Sequence, residues 1–166
     1  MANVDIAEGK LKALLEEVKD DLSSIISEED AKVKIINRIF HECLGWSFTS
    51  FSCENNHDNG FSDYILKVGG EGALVVEAKR IGILGVESAV TDKCRPLKIS
   101  GSVLKPSIEG IRQAHSYATE EGIPIAVVTD GITWIVFKTW VKGGYCSGTL
   151  NLATYSEVIS SPLNMN

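Results

Sequence analysis

An α/β sandwich around a mixed β-sheet is the fold class this sequence predicts, and three observations predict it. Two amphipathic helical stretches open the chain, a glycine-punctuated hairpin pattern follows, and one helix separates that hairpin from a second pair of strand-like runs. The element order reads α, α, β, β, β, α, β, β. The chain has 166 residues, 44% of them apolar and 23% charged, the composition of a single domain with a buried core and not of disorder.

Each element has its own local signal. Residues 4–22 place Ile6, Leu11, Leu14, Leu15, Val18 and Leu22 on one helical side. Ser27 is a suitable N-cap for a second helix, and Glu28, Glu29 and Asp30 suit the positive first turn. That helix carries Val33, Ile36, Ile39, Phe40 and Leu44, and Gly45 stops it. Trp46 to Ser52 alternates aromatic and polar residues and reads as a strand. Phe61 to Val68 and Ala73 to Lys79 are two further strands, with Gly69, Gly70 and Gly72 marking a hairpin between them. Residues 80–104 read as irregular, with Gly82, Gly85, Pro96 and Gly101. Ser107 precedes a helix through about Glu121, ended by Gly122. Ile125 to Thr129 and Ile132 to Thr139 form a strand pair turned at Asp130-Gly131. Trp134 reads as core of that pair. Residues 145–152 read as an edge strand and 154–160 as a short last helix. The chain is thus one domain over residues 1–160, with a helical N-terminal segment (1–26) and a core (27–152). Residues 161–166 read as a linker to a further domain.

Composition narrows the function classes. No apolar run approaches a membrane-spanning length, and Asp5 and Glu8 stand where a signal peptide carries positive charge, so the expectation is a cytoplasmic protein with no membrane partner. Four cysteines are scattered without a CxxC pair, which predicts reduced thiols. His41, Cys43, Cys53 and His57 form an H-x-C, C-x-x-x-H set, but its spacing matches no standard zinc module. It reads instead as a helix end followed by a strand and loop. The formal net charge of −6 argues against indiscriminate nucleic-acid binding. A local basic strip, Lys93, Arg95, Lys98 and Lys105, is the candidate carrier of phosphates. There is no nucleophile elbow and no phosphate-binding glycine loop.

The chemistry-bearing stretch is Asp63 on one strand and Glu77-Ala78-Lys79 on the next. Alternation points Glu77 and Lys79 to the same face. With a Gly69–Gly72 loop Asp63 would pair opposite Ala78, on the wrong face, so an odd-length loop or a bulge is expected. Two converging carboxylates repel unless a cation joins them. Asp and Glu oxygens are hard ligands suited to Mg²⁺, with Mn²⁺ able to substitute. Such an ion acts as a Lewis acid on phosphoryl oxygen and acidifies a bound water, and a nearby lysine orients or deprotonates that water. The D…E-x-K set is therefore chemically complete for phosphodiester hydrolysis. The run Ala73 to Val76 makes the strand look central and its polar end conspicuous. Gln113 and Tyr117, four apart, share one face of the following helix, and Glu28 adds a carboxylate upstream.

Five stretches carry a resemblance: SEEDAKVKIINRIFHECLGW (27–46), GFSDYIL (60–66), LVVEAKR (74–80), IRQAHSYA (111–118) and PIAVVTDGITWIVF (124–137). Their content and order resemble the PD-(D/E)XK nuclease superfamily, most of all the N-terminal nuclease domain of type I restriction enzyme R subunits and related prokaryotic defence proteins. The resemblance implies a restriction-endonuclease-like α/β/α sandwich and a Mg²⁺-dependent endonuclease acting on DNA, within a restriction or anti-phage system. It implies Asp63 and Glu77 as metal ligands, Lys79 as the catalytic lysine and Glu28 as the helical acidic residue near the site. Gln113 and Tyr117 would match the Q-x-x-x-Y motif that supports the site and approaches the DNA backbone. Three positions depart from the pattern: Ser62 in place of Pro, Lys32 where Arg is frequent, and Asp130 where TNG is more usual. The chain has no evident sequence-reading element. The expected partners are therefore DNA, a further domain or subunit (a motor or specificity component) and other copies of the chain. The rival readings are a catalytically silent nucleic-acid-binding or assembly module of the same fold, and a nuclease for RNA or branched DNA.

Overall fold

A computed structural model describes residues 3–57, 60–85, 95–140 and 146–151. The first helix, α1 (Val4–Val18), is capped by Asn3, whose side chain accepts from the Asp5 N–H at 2.9 Å, and it tightens into a 3₁₀ turn at Lys19–Ser24. Leu14, Leu15 and Val18 enter the core, whereas Ile6, in the first turn, lies beyond it and is exposed. Ser27 caps α2 (Glu28–Ala31) by accepting from the Asp30 N–H at 3.0 Å. The helix continues through two π-helical segments, Lys32–Ile36 and Ile39–Cys43, and ends at Gly45, whose φ of 75° suits glycine. Ala31, Ile35, Ile36, Ile39, Phe40 and Cys43 are its buried face. Val33, expected on that face, is exposed, because it sits about half a turn from both Ala31 and Ile35.

The expected strand at Trp46 to Ser52 starts later. Phe48–Ser50 form a 3₁₀ turn, and β1 runs Phe51–His57. It pairs antiparallel with β2 (Gly60–Val68), which pairs antiparallel with β3 (Glu71–Ala78). Gly69 and Gly70, both with positive φ, make the two-residue turn between them, as a primed hairpin turn requires. The register shifts at Leu66/Lys67: Lys67 faces Gly72 but Leu66 faces Leu74, so Ala73 is the extra residue of a bulge. Of the two devices that side-chain parity allows, an odd-length loop or a bulge, the chain uses the bulge.

Residues 95–98, within the segment read as irregular, form β4 (Arg95–Lys98). Its four residues are too few for alternation to reveal it, and Pro96 is tolerated because β4 is an edge strand. The helix α3 (Ile108–Glu120) follows, then β5 (Ile125–Thr129), β6 (Thr133–Lys138) and β7 (Cys146–Asn151). The described strands form one mixed sheet in the order β1-β2-β3-β5-β6-β7-β4, with β3 and β5 parallel and the other pairs antiparallel. The expected helix at 154–160 and the tail 161–166 lie outside the described residues.

Alternation along β2, β3 and β5 divides the core into two layers. Tyr64, Leu66, Val76, Ala78 and Val127 pack against α1 and the α2 helix. Ile65, Val75, Ala126 and Val128 pack against Ile111, Ala114 and Ala118 of α3. Helices thus cover both faces of the sheet. Trp134 packs edge-on against Phe40 at 5.6 Å, its indole N–H donating to Gly131 O, so its expected core role holds. Among the described residues no helix is long and apolar enough to cross a membrane.

Candidate active site

The parallel strands β3 and β5 end together, and the polar residues collect at that carboxyl end, where open α/β sheets place ligands. Glu77 lies in the last two residues of β3, and Lys79 follows the strand directly. β2 runs the opposite way, so Asp63, near its start, lies at the same end. With the two-residue turn alone, Asp63 would fall opposite Val76. The extra residue Ala73 moves the register by one, and continuing from Tyr64↔Val76 sets Asp63 opposite Glu77. Asp63 is held there by its Oδ2, which accepts from the Ala78 N–H at 2.8 Å.

Glu77 shares the α3 face with Val75. It is only 5% exposed. Its Oε1 accepts from Lys79 Nζ at 2.7 Å, while Oε2 is buried without a hydrogen-bond partner among the described residues. Burial pushes the Glu77 carboxyl up to about 7; the Lys79 hydrogen bond and charge pull it back, and the charges of Asp63 and Glu28 add to the rise. Lys79 Nζ also donates to Gln113 Oε1 at 2.8 Å, so α3 aims the ammonium. Gly110, one turn earlier on α3, lets the lysine stem pass: a Cβ there would stand 3.3 Å from Lys79 Cε. Tyr117, buried one turn beyond Gln113, lies within range of the same two carboxylates, and burial, then Glu77 and Asp63, lift its hydroxyl pKa. Its hydroxyl would stand 2.9 Å from a Cβ built on Gly60, at the start of β2.

The helix on the other face contributes Lys32. Its Nζ lies 2.5 Å from Asp63 Oδ1, 2.8 Å from Glu29 Oε1 and 3.3 Å from Glu28 Oε1. Burial alone would lower the Lys32 ammonium pKa. The hydrogen bonds to Asp63 and Glu29 and the charges of Asp63 and Glu28 outweigh it and hold the ammonium above the usual lysine range. Glu28 thus reaches the cluster through Lys32. In the sequence Lys32 showed only as a departure from a motif; Glu28 and Lys32 at i, i+4 look like an ordinary helix surface pair.

Asp63, Glu77, Lys79, Glu28, Gln113 and Tyr117 are therefore gathered into one neighbourhood. Lys98 and Lys105 lie elsewhere. β4, which ends at Lys98, is four strand positions from β3 at the sheet's far edge. Lys105 lines an open groove of about 540 Å³ with Ile99, Ser102, Ile108 and Arg112. Lys93 falls outside the described residues. Of the H-x-C, C-x-x-x-H set, His41 Nδ1 is 2.7 Å from Trp46 O and its ring stacks on Phe48, Cys43 is a buried free thiol and Cys53 an exposed one, and the His57 side chain lies outside the described residues.

Asp130 lies in the turn expected at Asp130-Gly131. It is fully buried, with Oδ1 accepting from the Ile132 and Thr133 N–H groups and Oδ2 from the Gly82 N–H. It builds the β5–β6 turn and ties the segment after β3 to it.

Chemically, the cluster offers two opposed carboxylates with one unsatisfied buried oxygen, flanked by an aimed ammonium on each side. Asp63 and Glu77 are the carboxylates that could hold a hard divalent ion, which commonly takes one or two carboxylates and keeps the rest of its shell as water or phosphate oxygen. Among the described residues, no group of three or more His, Cys, Asp or Glu side chains is arranged to hold a metal. The chain matches no family model, no curated protein and no solved structure.

Proposed function

We propose that this chain is a Mg²⁺-dependent deoxyribonuclease domain of the restriction-endonuclease-like α/β/α type, with Asp63, Glu77 and Lys79 as its catalytic core. The observation that carries the reading is the Glu77 carboxylate. An unsatisfied buried oxygen costs about 1–3 kcal/mol, and Glu77 Oε2 is one, opposite a second carboxylate and beside an aimed lysine. A protein keeps such an arrangement when something else completes it. The motif order set out above supports the same reading.

In this reading Asp63 and Glu77 hold the ion. Bound there, Mg²⁺ supplies Lewis-acid polarisation of the phosphoryl oxygen and lowers the pKa of a coordinated water. Lys79, fixed between Glu77 and Gln113, orients the attacking water and offsets the negative charge that develops on the phosphoryl oxygens. Gln113 positions Lys79, and Gln113 and Tyr117 approach the DNA backbone. Glu28 shapes the charge around Asp63 through Lys32. Lys98 and Lys105 extend the phosphate-binding surface away from the cluster. Water attacks the phosphorus in line and gives its proton to solvent, the P–O bond to the leaving sugar oxygen breaks and that oxygen takes a proton from solvent, and target choice comes from a fused domain, a motor or specificity subunit, or a second copy of the chain. A cytoplasmic role in restriction or anti-phage defence is the setting we propose.

The second reading is a catalytically silent nucleic-acid-binding or assembly module, favoured by the lack of a three-donor cluster among the described residues. Incubation of the purified protein with supercoiled plasmid, in Mg²⁺, Mn²⁺ or EDTA, separates the two. Ion-dependent nicking supports the nuclease; intact plasmid with retained DNA binding supports the silent module.

A further inference from the structure

Lys32 is a half-buried lysine. Its side chain is 12% exposed, and it opens a π-helical segment, a distortion that often accompanies function. An ammonium has three donors, and three carboxylates surround this one: Asp63, Glu29 and Glu28. An ordinary surface pair would need only the two on its own helix.

The bonding of the cluster shows which oxygens are open to exchange. Asp63 Oδ2 is fixed by a backbone N–H, so Oδ1, held by Lys32, is the exchangeable one. Glu77 Oε1 is held by Lys79, and Oε2 has no hydrogen-bond partner among the described residues. When ionised, the four carboxylates (Glu28, Glu29, Asp63, Glu77) and two ammoniums (Lys32, Lys79) leave a net charge of −2, the complement of one divalent cation.

We infer that Lys32 is a tethered cation that holds Asp63 Oδ1 in the ion-free site and releases it when a divalent ion binds, so that it sets the ion threshold of the site. Glu28 and Glu29 remain as partners of the ammonium when Asp63 is given up. This inference rests on the proposed ion-binding role of Asp63 and Glu77.

The test is calorimetric titration of Mg²⁺ into wild type, Lys32→Met and Lys32→Arg, with circular dichroism as the check on folding. Methionine keeps the apolar stem and removes the competing charge, so Mg²⁺ should bind about tenfold tighter. Arginine keeps the charge and should stay close to wild type. In wild-type protein the Lys32 side-chain ¹⁵N resonance should also shift as Mg²⁺ saturates the site, a readout that needs no variant. Wild-type or weaker Mg²⁺ affinity in folded Lys32→Met, or a Lys32 resonance unmoved at saturation, overturns the inference while leaving the carboxylate site standing. Absence of Mg²⁺ binding by both folded wild type and folded Lys32→Met overturns the site and the inference together.

Discussion

The ammonium of Lys79 stands 2.7 Å from Oε1 of Glu77, so the buried acid and its cation act as one unit. Removing the lysine therefore has two consequences. Lys79→Met should lower plasmid cleavage by at least about a hundredfold, the usual cost of losing a preorganised transition-state donor. It should also raise the Glu77 pKa further, because the Lys79 bond and charge hold it down. Mg²⁺ binding by the variant should then be weak at neutral pH and recover at higher pH. Calorimetry across pH checks this; binding that stays lost at high pH would make Lys79 structural.

Gln113 accepts from Lys79 Nζ at 2.8 Å and so aims the ammonium. Gln113→Ala should slow turnover by roughly tenfold through loss of aim, with stability changed by no more than about 1 kcal/mol. Gln113→Glu, which keeps an acceptor at the same reach, should restore most of the rate. Equal slowing by both variants would show that Gln113 serves some other purpose.

The Glu77 pKa of about 7 sets the pH response of the ion-free protein. Between its unfolded value near 4.5 and 7, the folded state binds more protons than the unfolded state, so stability falls as pH rises through this window. The loss is on the order of 3 kcal/mol, at 1.36 kcal/mol per pKa unit. Glu77→Gln should flatten the curve. Mg²⁺ affinity should run the other way, rising with pH as the carboxyl ionises. Denaturant melts in EDTA across this range check the first statement, and an unchanged slope in Glu77→Gln would contradict it.

Asp130 is a folding residue. Its three backbone donors lose their acceptor in Asp130→Ala, which should destabilise the protein by about 3 kcal/mol or more. Asp130→Asn should cost less. Its amide oxygen can still serve the turn N–H groups of Ile132 and Thr133, while its amino group would face the Gly82 N–H. Equal destabilisation by both variants, read from denaturant midpoints, would contradict this division of labour.

Much of this architecture was legible in the sequence because it rests on local rules. The Ser27 cap, the Gly45 stop and the Gly69-Gly70 turn each need a residue type that the chain supplies at that position. Parity called for an odd-length loop or a bulge, since a Gly69–Gly72 loop puts Asp63 opposite Ala78, and the structure uses the bulge. The features that escaped depend on tertiary context. A four-residue edge strand with Pro96 carries no periodic signal, and it forms because β7 offers a partner. The π segments leave an apolar pattern that also fits an α-helix. Lys32 looks like half of a surface ion pair until Asp63 is brought beside it from a strand 31 positions later.

The most direct measurement is the cleavage of supercoiled plasmid in Mg²⁺ by wild type beside Asp63→Ala, Glu77→Gln and Lys79→Met, each verified as folded. On the proposed reading, wild type nicks the plasmid, EDTA stops it, and all three variants are silent although folded. Cleavage that persists in Glu77→Gln at the wild-type rate would contradict it, because the carboxylate on which the site is built would then be dispensable.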